Sequence, residues 1–231
     1  MPTLTYLGHS AVKLHNSSYT LLIDPFITGN PVAPITVEEI NTCDYILVTH
    51  GHRDHLGDTV ALAKRLKCTV IATWELAAYL EAMGIAVHPM SAGGSHEFPF
   101  GKVKMTIAFH GCGGDKMSDG STPPPNTPIG YVIAFDKKII YHAGDTALFS
   151  DMKLIGERFK IDVACLPIGD NFTMDVEDAA RANEFLGAER CVPIHFNTWD
   201  LIKADSKAFE YKIRKQGKKC SVLEPGDYFD F

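Results

Sequence analysis

The sequence predicts an α/β protein in which two β-sheets pack face to face and helices cover their outer sides. Short apolar runs alternate with helical patterns in two successive blocks of similar content. Polar residues of the kinds that bind metals follow directly after several of these runs. Because a sheet must bury its apolar face against another layer, two such blocks favour a four-layer αββα sandwich with two mixed sheets. No linker-like or repeated segment interrupts the chain, which predicts a single domain over residues 1–231.

Composition narrows the classes of protein to which the chain can belong. Of its 231 residues, 45% are hydrophobic and 22% are charged, as in ordinary globular proteins. A formal net charge of −6 argues against a broad nucleic-acid or membrane surface. The sequence has no signal-peptide pattern and no apolar run near the ~20 residues that span a bilayer. Six scattered cysteines without a Cys-x-x-Cys pair are typical of a reducing cytoplasm.

The first block opens with three short strands, expected at residues 3–7, 11–14 and 19–23. The third strand runs into Asp24, and a carboxylate is costly to bury there without a partner. Asp24 is therefore interpreted either as a turn-forming residue or as the acceptor of a hydrogen bond from a metal-bound imidazole. His9 lies in the first turn, where a lone histidine is most often solvated or structural.

A cluster of residues whose side chains commonly bind metals follows the fourth expected strand, Tyr45–Thr49. Residues two apart in an extended segment point the same way, so His50 and His52 can present their imidazoles to one ion. Asp54 and His55 are expected on the next turn, where they can reach a second ion. Imidazole with carboxylate suits zinc, manganese, iron or nickel. The alternative is four polar residues on a solvated turn.

The next elements lead to a further histidine. Residues 102–109 alternate as a half-buried strand, with Val103, Met105, Ile107 and Phe109 expected to face the core. The strand ends at His110, which taken alone would more often be structural. The elements expected before it are a helix after Gly57, a strand at 69–72, a helix at 75–83 and strands at 85–90 and 96–100.

Residues 111–128 carry four glycines and four prolines without periodicity. Such a long loop inside a compact domain is commonly an active-site cover or disordered. Its attachment to His110 favours a cover, while Lys116 is interpreted as solvated or as a contact for an anionic substrate group. Cys112 could in principle reach a metal, although a passive thiol is the simpler interpretation.

The second block supplies two more candidate ligands. A hairpin at 129–135 and 139–141 leads to Asp145, whose carboxylate on a glycine-backed turn can bridge two cations. His195 leaves the last short strand, at 190–194. His142 is not assigned as a ligand, and Asp170 is interpreted as a turn residue or as part of the pocket lining. Helices are expected around 148–159, at 175–186 and at 206–216, with a strand at 161–166 between the first two.

The hexapeptide His50-Gly51-His52-Arg53-Asp54-His55 resembles the signature of the metallo-β-lactamase-fold hydrolases. The resemblance implies that the chain has the αββα fold and holds two metal ions. It assigns one ion to His50, His52 and His110, and the other to Asp54, His55 and His195. Asp145 would bridge the two. All seven positions occur in the expected order.

Four further segments resemble the UPF0173 metal-dependent hydrolases, which are related to the ascorbate-6-phosphate lactonases. The resemblance covers essentially the whole chain. It implies that His9 lies in the wall of the metal pocket and that Asp24 supports a metal-bound imidazole. It departs at Gly111-Cys112-Gly113, where serines are common. The four segments are residues 5–10, 22–26, 141–146 and 166–172.

These expectations together predict a metal-dependent hydrolase with two divalent ions, zinc first and manganese, iron or nickel as alternatives. A metal pair can turn a bridging water into hydroxide near neutral pH, and Asp54 could pass a proton to the leaving group. The expected substrate is a small molecule with an ester, lactone, thioester or phosphodiester bond. Neither a nucleic acid nor a membrane is an expected partner, and homo-oligomerisation is left open.

Two other functions remain compatible with the sequence. A non-catalytic metal-binding sensor or scaffold would use the same ligand residues, because binding and catalysis share them. A nucleic-acid phosphodiesterase of the same fold would need an RNA-gripping insertion or a basic face, and the sequence contains neither.

Overall fold

The computed structural model describes residues 1–113, 115–117 and 120–231. The first block of the chain contains β1 (Thr3–Tyr6), β2 (Val12–His15), β3 (Thr20–Ile23), β4 (Tyr45–Leu47), α1 (Arg53–Leu56), α2 (Thr59–Leu66), β5 (Thr69–Thr73), α3 (Trp74–Ala82) and β6 (Val87–Met90). The second block contains β7 (Ser95–Phe98), β8 (Gly101–Ile107), β9 (Ile129–Phe135), β10 (Lys138–His142), α4 (Met152–Arg158), β11 (Val163–Pro167), α5 (Val176–Leu186), β12 (Arg190–Ile194), α6 (Ser206–Lys215), β13 (Lys219–Cys220) and β14 (Tyr228–Asp230).

The strands form two seven-stranded sheets, each of which is mixed. The first sheet has the order β14-β1-β2-β3-β4-β5-β6, with parallel pairing from β3 to β6. The second has the order β13-β12-β11-β10-β9-β8-β7, with parallel pairing from β10 to β13. The last strand returns to the first sheet, where Phe229 pairs with Leu4. The predicted α/β fold class is confirmed.

Three apolar layers hold this arrangement together. Leu47 and Ile71 of the first sheet pack in one cluster with Tyr131 and Val163 of the second, and all four are fully buried. The helices cover the outer faces of both sheets and bury the alternate strand residues. Both faces of the central strands are therefore buried, which is why they are continuous apolar runs in the sequence.

The parallel strands place their carboxyl ends along one edge of the sandwich. Residues that follow β4, β10, β11 and β12 therefore meet at that edge, together with the exit of β8. Backbone hydrogen bonds join the two sheets there: Ile129 N–H donates to Thr49 O over 3.1 Å, and His195 N–H donates to His9 O over 2.8 Å. The position for the site is thus fixed by topology.

Two local expectations were wrong. Ile107 and Phe109 are 38% and 59% exposed, whereas Thr106, expected to face outward, is buried. The strand alternation ends with the ladder at Ile107, and Thr106 fills the space above its partner Gly130, where a Cβ would lie 2.8 Å from the threonine hydroxyl. In addition, Asp54 and His55 lie on the short helix α1 and not on a turn.

Gly57 ends α1 and is required there by its surroundings. Its φ is +44°, and a Cβ at this position would lie 2.5 Å from the carbonyl oxygen of Pro25. The chain can therefore turn sharply from α1 into α2 only with glycine at this point. Among the described residues, no helix combines the length and the apolar character needed to cross a bilayer.

Candidate metal centre

A cavity of about 270 Å³ opens at the edge where the strand ends meet. It combines imidazoles and carboxylates with two aromatic side chains. Its lining residues are His52, Asp54, His110, Asp115, Asp145, Phe172, His195 and Trp199.

The structure brings together all seven residues predicted as metal ligands, and the first group is formed by His50, His52 and His110. His50 Nε2 lies 2.9 Å from His52 Nδ1, and His110 Nε2 lies 3.3 Å from the same nitrogen. One potential ligand atom from each of the three lies within 4.8 Å of the others. Three imidazoles converging in this way can hold one divalent ion.

Asp145 lies between the two predicted groups. Its Oδ2 is 3.1 Å from His195 Nε2, 3.3 Å from His55 Nε2 and 3.6 Å from His110 Nε2. The second group extends from this point to Asp54, whose Oδ2 is 3.7 Å from His195 Nε2 and 3.9 Å from His55 Nε2. The carboxylate of Asp145 therefore contacts imidazoles assigned to both ions.

A buried network fixes the imidazoles of His50 and His55. Asp24 is fully buried and accepts hydrogen bonds from the Thr49 amide (2.8 Å), the Thr49 hydroxyl (2.7 Å) and His55 Nδ1 (2.8 Å). Because the Thr49 hydroxyl donates to Asp24, its oxygen can accept from His50 Nδ1 at 3.0 Å. In their neutral forms both rings thus carry their hydrogen on Nδ1, which leaves the lone pair on Nε2 for a metal ion.

Protonation differs within the cluster. Burial lowers the pKa of His50 well below its ordinary value, so this imidazole is neutral at pH 7. Burial alone would also lower the pKa of His195, but the Asp145 carboxylate raises it to about 9. His55 behaves in the same way: burial is outweighed by Asp145 and Asp24, and its pKa is raised well above the ordinary value. Burial opposes ionisation of Asp145, yet His195 and His55 hold its pKa well below the usual range.

The donor set fits a metal ion. His55 Nε2 and Asp145 Oδ1 are buried polar atoms with no hydrogen-bond partner among the described residues, and each faces groups that a cation would satisfy. The set consists of imidazole and carboxylate without thiolate, because the Cys112 sulfur instead accepts the Gly51 N–H over 3.2 Å. The chain therefore has a His/Asp cluster that is able to bind metal.

The residues whose roles the sequence left open now have positions. His142 is fully buried with both nitrogens engaged: Nε2 donates to Ser10 O, and Nδ1 accepts from Gly144 N–H. Asp170 is exposed, and its carboxylate caps the next amide in a turn. His9 is fully buried and lies against Asp54, 2.9 Å from Nε2 to Oδ2. It therefore lies behind the pocket lining and not in it.

The loop after His110 approaches the site through its first residues. Asp115 lines the cavity, and its carboxylate accepts the N–H of Arg53, the first residue of α1, over 3.0 Å. Lys116 is exposed and does not line the cavity. Residues 114, 118 and 119, which also belong to the loop predicted as a cover, lie outside the described residues.

Sequence reasoning missed three residues of the pocket lining: Asp115, Phe172 and Trp199. Phe172 is 53% exposed and Trp199 is 41% exposed, so two large aromatic surfaces face the opening. Both follow the ends of neighbouring parallel strands, β11 and β12. A bulky apolar residue placed just after polar strand-end residues was the available signal.

Comparison with known proteins agrees with this geometry. The family model described as "Beta-lactamase superfamily domain" matches residues 19–196. A UPF0173 metal-dependent hydrolase from Anoxybacillus flavithermus is 52% identical over 221 residues, which are 96% of this chain and 97% of that protein. A UPF0173 metal-dependent hydrolase from Geobacillus sp. (strain WCH70) is 54% identical over 224 residues, 97% of each chain.

A solved structure gives the same result. A metallo hydrolase from the hyperthermophilic archaeon Ignicoccus hospitalis superposes with a TM-score of 0.88 at 35% identity, and the match covers 100% of this chain and 99% of that one. The fold, the metal-type cluster and these similarities lead to one conclusion. The chain belongs to the metallo-β-lactamase superfamily and, within it, to the UPF0173 metal-dependent hydrolases.

Proposed function

We propose that this hydrolase uses two divalent ions to cleave a carboxylic ester or lactone in a small, uncharged substrate. His50, His52 and His110 would hold one ion, Asp54, His55 and His195 the other, and Asp145 both. Zinc is the first choice of metal, with manganese, iron or nickel as alternatives.

The observation that carries the proposal is the position of Asp145. Its Oδ2 lies within 3.1–3.6 Å of three imidazoles that come from both groups, while its Oδ1 is buried without a hydrogen-bond partner in the described part of the chain. A carboxylate in that position is suited to bridging, because each oxygen has lone pairs to offer. If the site held a single ion, the Asp145 carboxylate would need to contact the imidazoles of only one of the two predicted groups.

When bound, such an ion pair supplies an activated water nucleophile and positive charge to stabilise the developing oxyanion. The chain's own residues do the rest. Asp54 lies at the cavity wall and is ionised in the metal-free protein, because the imidazoles of His55 and His195 outweigh its burial and lower its pKa. It is therefore placed to accept a proton from the nucleophile and to donate it to the leaving group.

The lining of the cavity favours an uncharged substrate. Its described residues include the carboxylates Asp54, Asp115 and Asp145 and the aromatic rings Phe172 and Trp199, but no lysine or arginine. Only the ions themselves could meet the negative charge of a phosphodiester here, because no cationic side chain lines the cavity and Asp115 adds a carboxylate beyond the predicted ligands. The volume of about 270 Å³ also lies below the roughly 300–1,000 Å³ of typical small-molecule pockets, which indicates a small substrate. Arg53 lines an adjoining cavity that shares Asp54 and Trp199 with this one.

The chain is further proposed to work as one domain in the cytoplasm. All six cysteines are free thiols, and Cys43, Cys68, Cys165 and Cys191 are buried. Unpaired buried thiols suit a reducing compartment.

The test combines metal analysis with a substrate panel. Purified protein is reconstituted with zinc or manganese, its metal content is measured, and p-nitrophenyl esters, lactones, thioesters and bis-p-nitrophenyl phosphate are assayed. We expect about two ions per chain and turnover of uncharged esters or lactones. Asp54→Asn should lower kcat by about 10²–10⁴-fold. Asp200→Asn, a surface change at a side chain that is 92% exposed, is the matched control and should leave kcat unchanged.

Each other outcome has a definite meaning. Two ions without turnover of any substrate would favour the sensor or scaffold function. Turnover of bis-p-nitrophenyl phosphate alone would favour a phosphodiesterase and contradict the charge argument. One ion per chain in the wild type would contradict the bridging role of Asp145.

A further inference from the structure

His9 is a fully buried histidine outside the seven predicted ligands, and it occupies a strained turn between β1 and β2. Its φ is +56°, in the left-handed region that only a few per cent of residues other than glycine adopt. A residue held in this conformation persists only where its surroundings fix it, and such residues cluster at functional sites. His9 therefore calls for a physical explanation.

The backbone of His9 is fixed from two sides. Its carbonyl oxygen accepts the N–H of His195 over 2.8 Å and the hydroxyl of Tyr6 over 3.0 Å. The first of these bonds ties the turn to the end of β12, where His195 itself has a φ of +53°. A backbone hydrogen bond thus joins the turn at residue 9 directly to the loop that carries a predicted ligand.

Both ring nitrogens of His9 are engaged. Nε2 lies 2.9 Å from Oδ2 of Asp54, and Nδ1 lies 2.8 Å from Oγ1 of Thr198. An ionised carboxylate can only accept, so the hydrogen of the neutral ring is on Nε2 and the Thr198 hydroxyl donates to Nδ1. Thr198 therefore sets the tautomer that allows His9 to donate to Asp54.

The position of His9 separates it from the bridging carboxylate. Among the described residues, Asp145 has imidazole contacts within 4.0 Å only from His55, His110 and His195. The ring of Trp199 packs against His9 with centroids 4.8 Å apart, and His9 does not line the cavity. His9 is hydrogen-bonded to the cluster at Asp54, and its ring also packs against that of His195 with centroids 4.1 Å apart. One potential ligand atom of His9 lies within 4.8 Å of one each from Asp54, His55 and His195, so the experiment must distinguish a positioning residue from a direct ligand.

We propose that His9 is a positioning residue: oriented by Thr198, it holds the Asp54 carboxylate by a hydrogen bond in the geometry needed both to bind an ion and to transfer a proton. Residues that orient a ligand in this way typically change metal affinity by about 10–100-fold when they are removed. The inference rests on the proposed function for the proton-transfer step, but not for the metal-binding step.

Three substitutions test the proposal. His9→Asn suits the left-handed backbone, and its short amide can still reach Thr198 but not Asp54. His9→Gln carries an amide N–H at about the position of Nε2 and should restore the hydrogen bond. Thr198→Val is nearly isosteric and removes only the hydroxyl that fixes the ring. All three retain the backbone carbonyl that binds His195.

Metal binding is measured by titrating each metal-free variant with Co²⁺ and following its visible absorption bands. For His9→Asn we expect the ion assigned to Asp54, His55 and His195 to lose about 10–100-fold in affinity, while the ion assigned to His50, His52 and His110 is unchanged. His9→Gln should return within about 3-fold of the wild type, and Thr198→Val should lie between the two. With a hydrolysed substrate, kcat should follow the same order at constant KM.

Several results would overturn the proposal. Unchanged Co²⁺ affinity and spectrum in His9→Asn would show that the hydrogen bond does not position Asp54. Loss of the second ion that His9→Gln fails to restore would identify His9 as a direct metal ligand. If His9→Asn does not fold, wild-type behaviour of Thr198→Val is the contradicting result. The Co²⁺ titration is decisive even if the wild type hydrolyses no ester, so the two proposals can fail separately.

Discussion

The two halves of the metal cluster are built differently. The half from residues 50–55 comes from one continuous segment and is supported by the buried side chains of Asp24 and Thr49. The other half takes His110, Asp145 and His195 from three separate strand ends. In that half Asp145 Oδ1 and His195 Nδ1 are buried without hydrogen-bond partners among the described residues.

The difference concerns what keeps each half in place. Hydrogen bonds preorganise the imidazoles of His50 and His55 in the absence of an ion, because each is held through Nδ1. In the second half strand register places the backbone, and the side chains contact other predicted ligands and not a separate supporting network. A metal ion would therefore organise the second half more than the first.

Among the tests of this difference between the two halves, metal removal should have the largest measurable effect. We expect a chelator to abolish hydrolysis and to lower the free energy of unfolding, by about 2.7 kcal/mol relative to protein at 100 times the metal Kd. Hydrogen exchange should accelerate mainly at residues 108–111, 144–146 and 195–199. Equal acceleration at residues 48–56 would contradict the contrast between the halves.

Asp24→Asn tests the preorganised half. Three donors converge on the Asp24 carboxylate, and an amide would oppose at least one of them with its own N–H. We expect the metal-free protein to lose about 3 kcal/mol in the free energy of unfolding, measured by urea denaturation.

Asp170→Asn is the matched control on the second half. Asp24 and Asp170 both follow strands with positive φ, +47° and +57°, a conformation that asparagine tolerates. Asp170 is exposed, so its replacement should change stability by less than about 0.5 kcal/mol. Equal losses in the two variants would mean that the buried network contributes nothing beyond an ordinary turn.

Removal of one imidazole from each half should separate ion binding from stability. We expect His55→Ala and His110→Ala each to lose about one ion per chain. His55→Ala also leaves Asp24 without one of its donors and should cost the metal-free protein about 2–3 kcal/mol, whereas His110→Ala should cost less than about 1 kcal/mol. Elemental analysis and urea denaturation measure the two effects, and an equal stability cost would argue against the asymmetry.

The smallest expected effect is a difference between the two metal ions in the number of protons that the protein releases when each ion binds. His195, with its pKa raised to about 9, and His55, also raised, carry protons in the metal-free protein at pH 7 that an ion must displace. The affinity for that ion should rise with pH up to about 9 and fall as the pH is lowered. The pKa of His50 and of His110 is lowered, mainly by burial, so the other ion should release few protons. Calorimetry in buffers of different ionisation enthalpy would detect the difference, and equal release for both ions would contradict it.

Much of the fold could be predicted from the sequence because the patterns are local. Strand β12 was expected at 190–194 and is present at Arg190–Ile194. Strand β9 also has its expected bounds, 129–135, whereas the short strands β13 and β14 were not predicted. The remaining strands differ by one or two residues at their ends, because ladder hydrogen bonds and not composition determine where a strand stops. The predicted burial of Ile107 and Phe109 was wrong for this reason. The strand ends at Ile107, and beyond that point alternate residues no longer face the core.

The candidate ligands were readable because metal-type residues followed apolar runs, which is unusual in the absence of a site. The resemblance to a known family led us to expect the seven candidate ligands, from His50 to His195, in one cluster. The single-domain organisation stays a prediction. Supporting contacts were harder to predict. The contact between Asp24 and His55 joins residues 31 positions apart, and the contact between His9 and Thr198 joins residues 189 apart.

The sequence by itself determined which residues could bind metal and which strands would bury both faces, because these properties depend on residue type and short-range spacing. Only the tertiary structure decided which polar groups meet, because that depends on how the two sheets align at their edge. It placed His9 behind Asp54, turned Phe172 and Trp199 toward the cavity, and left Asp145 between two groups of imidazoles. Contacts between distant segments depend on how the elements pack, and local sequence patterns do not predict that packing.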